Sequence, residues 1–291
     1  MIQYPCAAYG IQTRVLEAGA GPALVFIHGL GARADRWRHN LEPLAAAGYR
    51  CIAIDLPGHG FASKSDIAPF SVPRCAEWLS EILRRIGIER CALVGTSLGG
   101  YIASTMACQA PERIEALVLV GAIGIVPMGP DARAAISSRF GTVTREGIER
   151  KLRTVLFDPG LVTPAWIEEE WRINNSLGAH DAFASIADYI RGPIDDDVVG
   201  ERLAEMGDRR PPTAVIWGRE DNAVPASVGH RCRDLLQPAL YREIPETGHG
   251  PYLEKPEAFN DMLIGFLAGD GAYPPAQADL RAQGKALSPS S

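Results

Sequence analysis

Apolar residues along the chain arrive in short runs, each closed by glycine, proline or charge. These runs are "ALVFIHG" at 23–29, "RCIAIDLPG" at 50–58, "CALVGTS" at 91–97, "ALVLVGA" at 116–122, "TAVIWGRED" at 213–221 and "LYREIPETG" at 240–248. Runs this short, with β-branched residues and turn-formers at their ends, predict strands buried on both faces. "IQTRVLEAG" at 11–19 predicts an opening antiparallel strand. Helical periodicity fills the gaps, so the pattern is one of strands alternating with helices, the signature of a mostly parallel sheet covered on both sides.

The stretch between strand 117–122 and strand 213–217 breaks this rhythm. "REGIERKLRTVLF" and "PAWIEEEWRINNSL" carry helical spacing with proline and glycine punctuation and no strand. We read 125–205 as an inserted helical cap, with the sheet and its helices divided into 1–124 and 206–268. The last stretch, 269–291, is rich in Pro, Gly, Ala and Ser and predicts a flexible tail.

Composition narrows the function classes. A net charge of -6 and a pI near 5.6 offer no basic field for phosphates, which argues against nucleic-acid binding. The first ten residues lack the basic and apolar segments of a secretory signal, and no apolar run approaches the ~20 residues of a spanning helix, so a cytoplasmic chain without membrane contact is expected. Cys6, Cys51, Cys75, Cys91, Cys108 and Cys232 are scattered without metal-ligand spacing. They predict free thiols rather than disulfides or a metal site.

The sharpest chemical signal is Gly95-Thr96-Ser97-Leu98-Gly99, placed between a strand and a helix-forming segment. A serine at such a strand-to-helix turn is exposed on a strained elbow, and the glycines leave room for it. A hydroxyl needs a base to act as a nucleophile. Of six histidines, His28 and His59 read as structural loop residues, His39 and His230 as solvated, and His180 as part of the cap. His249 lies in the loop after the last strand, on the sheet edge that carries Ser97, and is the candidate base. Its carboxylate partner is sought after strand 213–217, where Glu220 and Asp221 both stand. Asp55 reads as a turn residue, and Asp195, Asp196 and Asp197 as a solvated turn. The backbone N–H groups of Leu98 and of Leu30, or Gly29 in its place, are the candidate oxyanion donors.

Taken together, "FIHGLG", "DLPGHGFAS", "VGTSLGG", "WGREDNAVP" and "GHGPYLEKPE" resemble the α/β-hydrolase superfamily in motif and in order, over nearly the whole chain up to residue 268. The resemblance implies an eight-stranded, mostly parallel sheet with a helical cap, Ser97 as nucleophile, Asp221 as the acid, His249 as base, and no cofactor. Within the superfamily the chain is similar to the branch of small-molecule esterases, lactonases and hydrolases of aromatic ring-cleavage products. The last group commonly has tryptophan after the catalytic histidine and a Gly-Asn-Ser-Met-Gly elbow, where this chain has Gly250 and Gly-Thr-Ser-Leu-Gly. The resulting expectation is hydrolysis of a small or medium ester with an apolar or aromatic part. Carbon–carbon or lactone hydrolysis, or a ligand receptor with little turnover, are the alternatives. In the cap, Trp166, Trp171 and Arg172, with Asn174 and Asn175, are the candidate substrate contacts. Ile123, Ile125, Val126, Met128, Phe140, Leu156, Phe157 and Phe183 are further candidates for an apolar pocket.

Overall fold

The computed structural model describes residues 1–65, 67–139 and 143–269, apart from the side chain of Arg139. Eight strands form one sheet: β1 (Ile2–Ala8), β2 (Ile11–Ala18), β3 (Ala23–Ile27), β4 (Arg50–Ile54), β5 (Cys91–Thr96), β6 (Ile114–Val120), β7 (Thr213–Gly218) and β8 (Leu240–Ile244), in the spatial order β1-β2-β4-β3-β5-β6-β7-β8. β2 pairs antiparallel with β1 and β4, and every other pairing is parallel. β1 is the strand that apolar periodicity does not reveal. It lies at the sheet edge, is largely exposed, and holds Pro5, which an edge strand tolerates.

The central strands are buried on both faces, and successive side chains enter different cores. In β3, Val25 and Ile27 belong to one core cluster, while Leu24 and Phe26 belong to the other. Helices α1 (Arg38–Ala46) and α11 (Pro256–Ala268) supply Leu41, Leu44, Phe259 and Leu263 to the second cluster. Helices α2 (Val72–Arg85), α3 (Leu98–Gln109) and α9 (Ala226–Leu236) pack with the first. α10 (Pro251–Glu254) is a single turn before α11.

Between β6 and β7 lie α4 (Pro130–Arg139), α5 (Arg145–Val155), α6 (Pro164–Asn174), α7 (Ala179–Arg191) and α8 (Gly200–Glu205). Thr144 and Thr163 cap α5 and α6 by accepting the N–H of Gly147 and Trp166. α5 and α6 close a small core of Ile148, Leu152, Leu156 and Val162, whereas α7 joins the main core through Phe183, Ile186 and Ile190. A buried ion cluster ties this segment to the sheet. Glu170 of α6 accepts from Arg36 at 2.8 Å and pairs with Arg33, which also pairs with Glu169. Asp195 does not sit in a solvated turn. It accepts the N–H groups of Met128 and Gly129 at 2.9 Å each, and Asp197 accepts the Tyr189 hydroxyl at 2.6 Å.

All six cysteines are free, four of them buried. Among the described residues no helix is long and apolar enough to cross a membrane, and no group of three His, Cys, Asp or Glu side chains is placed to hold a metal ion. Residue 140 and residues 270–291 lie outside the described residues, and with them Phe140 and nearly all of the stretch read as a tail.

Candidate active site

Strand order decides where a site can form. From β3 the chain crosses to β4 on one side and returns to β5 on the other, so the carboxyl ends of β3 and β5 flank a crevice. The loop 28–31 leaves β3 there and Ser97 leaves β5. The cap segment and the loops after β7 and β8 approach the same edge.

Ser97 stands at φ 53° and ψ −119°, in a region that non-glycine residues rarely occupy. The turn is over-determined by its neighbours. Ser97 N–H donates to Val120 at 2.9 Å, and its carbonyl accepts from Gly100 and Tyr101. A Cβ at Gly95 would lie 2.3 Å from the Gly99 carbonyl oxygen, and one at Gly99 would lie 2.2 Å from that of Ile27. The two glycines of the pentapeptide are there because α3 rests directly on its own strand and on β3.

His249 follows β8. Its Nδ1 lies 2.6 Å from Asp221 Oδ2, while Asp221 Oδ1 accepts the N–H groups of Ala223 and Val224, each at 2.8 Å. Asp221 is therefore the carboxylate on the histidine. Glu220 turns away and accepts the N–H of Thr247. Burial of His249 disfavours its charged form, but the charge and hydrogen bond of Asp221, helped by Glu254, outweigh this and raise its pKa above the usual imidazole value. The histidine's own N–H donates to the Val155 carbonyl at 2.7 Å, and Glu254 accepts from Gly248 at 2.7 Å and from Phe157 at 2.6 Å. The loop that carries the imidazole is thus bonded to the end of α5.

Ser97 and His249 line one cavity of about 640 Å³, closed on its apolar side by Leu30, Ile123, Ile136 and Ile190. A smaller recess of about 70 Å³ adjoins it between Leu30, Ser97, Trp166 and Tyr252. No hydrogen bond joins Ser97 Oγ to His249; such contacts commonly tighten only around a substrate. Leu98 N–H, at the first position of α3, and Leu30 N–H donate to no acceptor among the described residues. The loop holding Leu30 is fixed from behind by His28. Burial lowers its pKa to about 4, so the ring is neutral. Its Nε2 accepts from Leu56 N–H at 2.9 Å, which leaves Nδ1 to donate to Gly29 O at 2.8 Å.

The cap contacts differ from the sequence expectation. Trp166 reaches the small recess, but Trp171 and Arg172 line neither cavity. Trp171 lies under the Arg145 guanidinium at 3.6 Å, and Arg172, an exposed residue, pairs with Glu168 one turn back at 2.9 Å. Asn175 bonds to Val143 O and Trp171 O within the cap. Ile123 and Met128 do line the large cavity and Leu156 the recess, whereas Phe157 is 45% exposed. Sequence reading passed over Lys151 and Glu254. Lys151 stands three residues after Ile148 and next to Leu152, both buried, so its place on the inward stripe of α5 was a readable signal.

A profile of the alpha/beta hydrolase family matches residues 24–262. The chain is 33% identical, over 86% of its own length and 89% of the relative's, to a 2-hydroxy-6-oxononadienedioate/2-hydroxy-6-oxononatrienedioate hydrolase of Paraburkholderia phymatum. Among solved structures it resembles a bacterial membrane phospholipase A, with a TM-score of 0.78, 26% identity and coverage of 92% of this chain and 86% of that one. It also resembles a meta-cleavage product hydrolase from Pseudomonas fluorescens IP01, with a TM-score of 0.79, 25% identity and coverage of 91% and 97%.

Proposed function

This chain belongs to the alpha/beta hydrolase family, and from that premise we propose that it is a serine hydrolase cleaving a small or medium carboxylic ester with an apolar or aromatic part. One observation carries the reading: a serine held at φ 53° and a histidine paired at 2.6 Å with a carboxylate face one largely apolar cavity, beside two backbone N–H groups without acceptors among the described residues.

In this reading His249 Nε2 takes the proton of Ser97 as its oxygen attacks the ester carbonyl carbon. Asp221 holds the Nδ1–H tautomer and stabilises the imidazolium that forms. The carbonyl oxygen, now negative, receives hydrogen bonds from Leu30 N–H and Leu98 N–H, each worth roughly 3 kcal/mol of barrier in sites of this type. His249 returns the proton to the departing alcohol, leaving an acyl group on Ser97, and water repeats the same steps to release the acid.

A second reading, hydrolysis of a carbon–carbon bond in a ring-cleavage product, is favoured by the activity named for the Paraburkholderia relative. The ester reading is favoured by the phospholipase neighbour and by Gly250, which stands where ring-cleavage hydrolases commonly carry tryptophan. The test is steady-state hydrolysis of chromogenic esters of rising acyl length, run beside a lactone and a 2-hydroxy-6-oxodienoate, with Ser97→Ala as control. Ester turnover lost in Ser97→Ala supports the first reading. Faster turnover of the dienoate replaces it with the second, and stoichiometric binding without turnover of any class replaces both with a receptor.

A further inference from the structure

The charged groups lining the large cavity have one sign. Among the described residues of its wall these are Arg150 and Lys151, with His249 beside them, and no aspartate or glutamate is present. The sign is opposite to that of the chain, whose net charge is -6. Lys151 is the inner of the two cations. Arg150 is exposed at the mouth, whereas Lys151 is half-buried and lines both the large cavity and the recess, each time together with Ser97, Leu30 and His249.

Its ammonium is incompletely used. Nζ donates one hydrogen bond, to the carbonyl of Gly31 at 2.6 Å, and forms no ion pair among the described residues. The acid whose charge reaches it, Glu170, is already engaged by Arg33 and Arg36. An ammonium has three donors, so two are left. Placing an unpaired cation in a cavity wall carries a desolvation cost, which an incoming anion would relieve.

We propose that Lys151 is an anion seat beside Ser97, and that the substrate of this site carries a carboxylate close to its scissile carbonyl. The inference rests on Ser97 being the nucleophile. It assigns Lys151 a role in choosing the substrate and none in proton transfer. Burial in the cavity wall pushes the Lys151 pKa down to about 8, with Arg36 and Arg33 adding to the effect and Glu170 opposing it. Arg150, His249 and His59 are the other titratable or charged groups near it, and burial holds His59 neutral. Selectivity for the acid is therefore lost as pH rises through about 8, where the ammonium gives up its proton.

The test compares matched substrates that differ by one carboxylate. A monoaryl glutarate is set against the aryl pentanoate, and a 3-carboxyphenyl butyrate against phenyl butyrate, so the acid is placed on either side of the scissile bond. Wild type is expected to favour the acid of one pair by about 10- to 100-fold in kcat/KM, the range of a hydrogen bond to a charged group. In Lys151→Met this ratio collapses toward one. If Lys151 served only to brace Gly31, the variant would slow both members of a pair alike and leave the ratio intact, which overturns the proposal. A binding arm separates this failure from failure of the hydrolase reading. Ser97→Ala is titrated calorimetrically with monomethyl glutarate and with methyl pentanoate, and again after adding Lys151→Met. Tighter binding of the acid that disappears with Lys151 sustains the seat even where no ester is turned over; equal binding of acid and neutral ligand rejects it.

Discussion

Gly99→Ala offers the most direct examination of how the elbow is built. A Cβ on residue 99 would lie 2.2 Å from the Ile27 carbonyl oxygen, 2.6 Å from that of His28 and 2.7 Å from the Ile27 carbonyl carbon, against ordinary contact beginning near 3.4 Å. All three atoms are backbone of β3 and its exit loop, so no side chain can swing aside, and the start of α3 must part from β3 by about 1 Å. The two sides of that gap carry the two proposed oxyanion donors, Leu98 on α3 and Leu30 three residues beyond Ile27. Overpacking of this size costs about 1–3 kcal/mol of stability, which lowers the apparent Tm by roughly 2–10 °C in a protein of this length. The effect on catalysis is larger in proportion, because spoiling one donor costs ~10²- to 10³-fold in kcat. The assay is kcat and KM on the best ester alongside thermal unfolding, with Gly265→Ala as comparison. A Cβ at Gly265 meets nothing within 4 Å on the exposed side of α11, so alanine there leaves kcat alone and adds about 0.5–1 kcal/mol. A folded Gly99→Ala variant with kcat within threefold of wild type would refute the placement of the donors.

Asp221→Asn removes the charge that holds His249 and puts an amide against Nδ1, so kcat is expected to fall roughly 10⁴-fold with little change in Tm. In wild type the raised His249 pKa predicts that kcat/KM rises with pH to a midpoint above 6.5, and Asp221→Asn moves that midpoint down. The linked stability has the opposite slope: the charged His249–Asp221 pair stabilises the fold fully below the unfolded-state pKa near 6.5, and this contribution is lost as pH rises through the folded value, as denaturation across pH 5–9 can record. Glu170→Ala strips the carboxylate shared by two buried arginines; Arg33 keeps Asp35 and Glu169, but Arg36 is left buried without an ion pair among the described residues, which is expected to cost about 3–5 kcal/mol, seen as a lower Tm or early proteolysis in 125–205.

Legibility in the sequence followed the range of the interaction responsible. The central strands were readable because double-sided burial writes an uninterrupted apolar run, and the elbow because its close contacts exclude side chains at Gly95 and Gly99. β1 was unreadable from periodicity because an exposed edge strand imposes little pattern, although the family resemblance implied an eighth strand. Asp195 was misread for a related reason. A charge run has the same composition whether it is solvated or hydrogen-bonded to Met128 and Gly129, and only the fold brings those N–H groups to it.

The cap shows the same limit at the site itself. Trp171 and Arg172 were attractive as substrate contacts by residue type, yet Arg172 pairs with Glu168 one turn back on an exposed face of α6, and Trp171 packs on the small α5–α6 core beneath the Arg145 guanidinium. The end of α5 contributes instead: Lys151 lines the cavity of Ser97 and His249 by its side chain, and Val155 accepts His249 N–H by its carbonyl. A backbone carbonyl has no signature in a sequence, because every residue carries one. Its role depends on the path of the chain after β8, where Glu254 gathers Gly248 and Phe157 onto one carboxylate and so sets the histidine loop against the cap. Position within the cap is therefore what distinguishes a surface arginine at 172 from a cavity lysine at 151. That position is fixed by the inward stripe of Ile148 and Leu152, which turns residue 151 toward the sheet edge that bears Ser97.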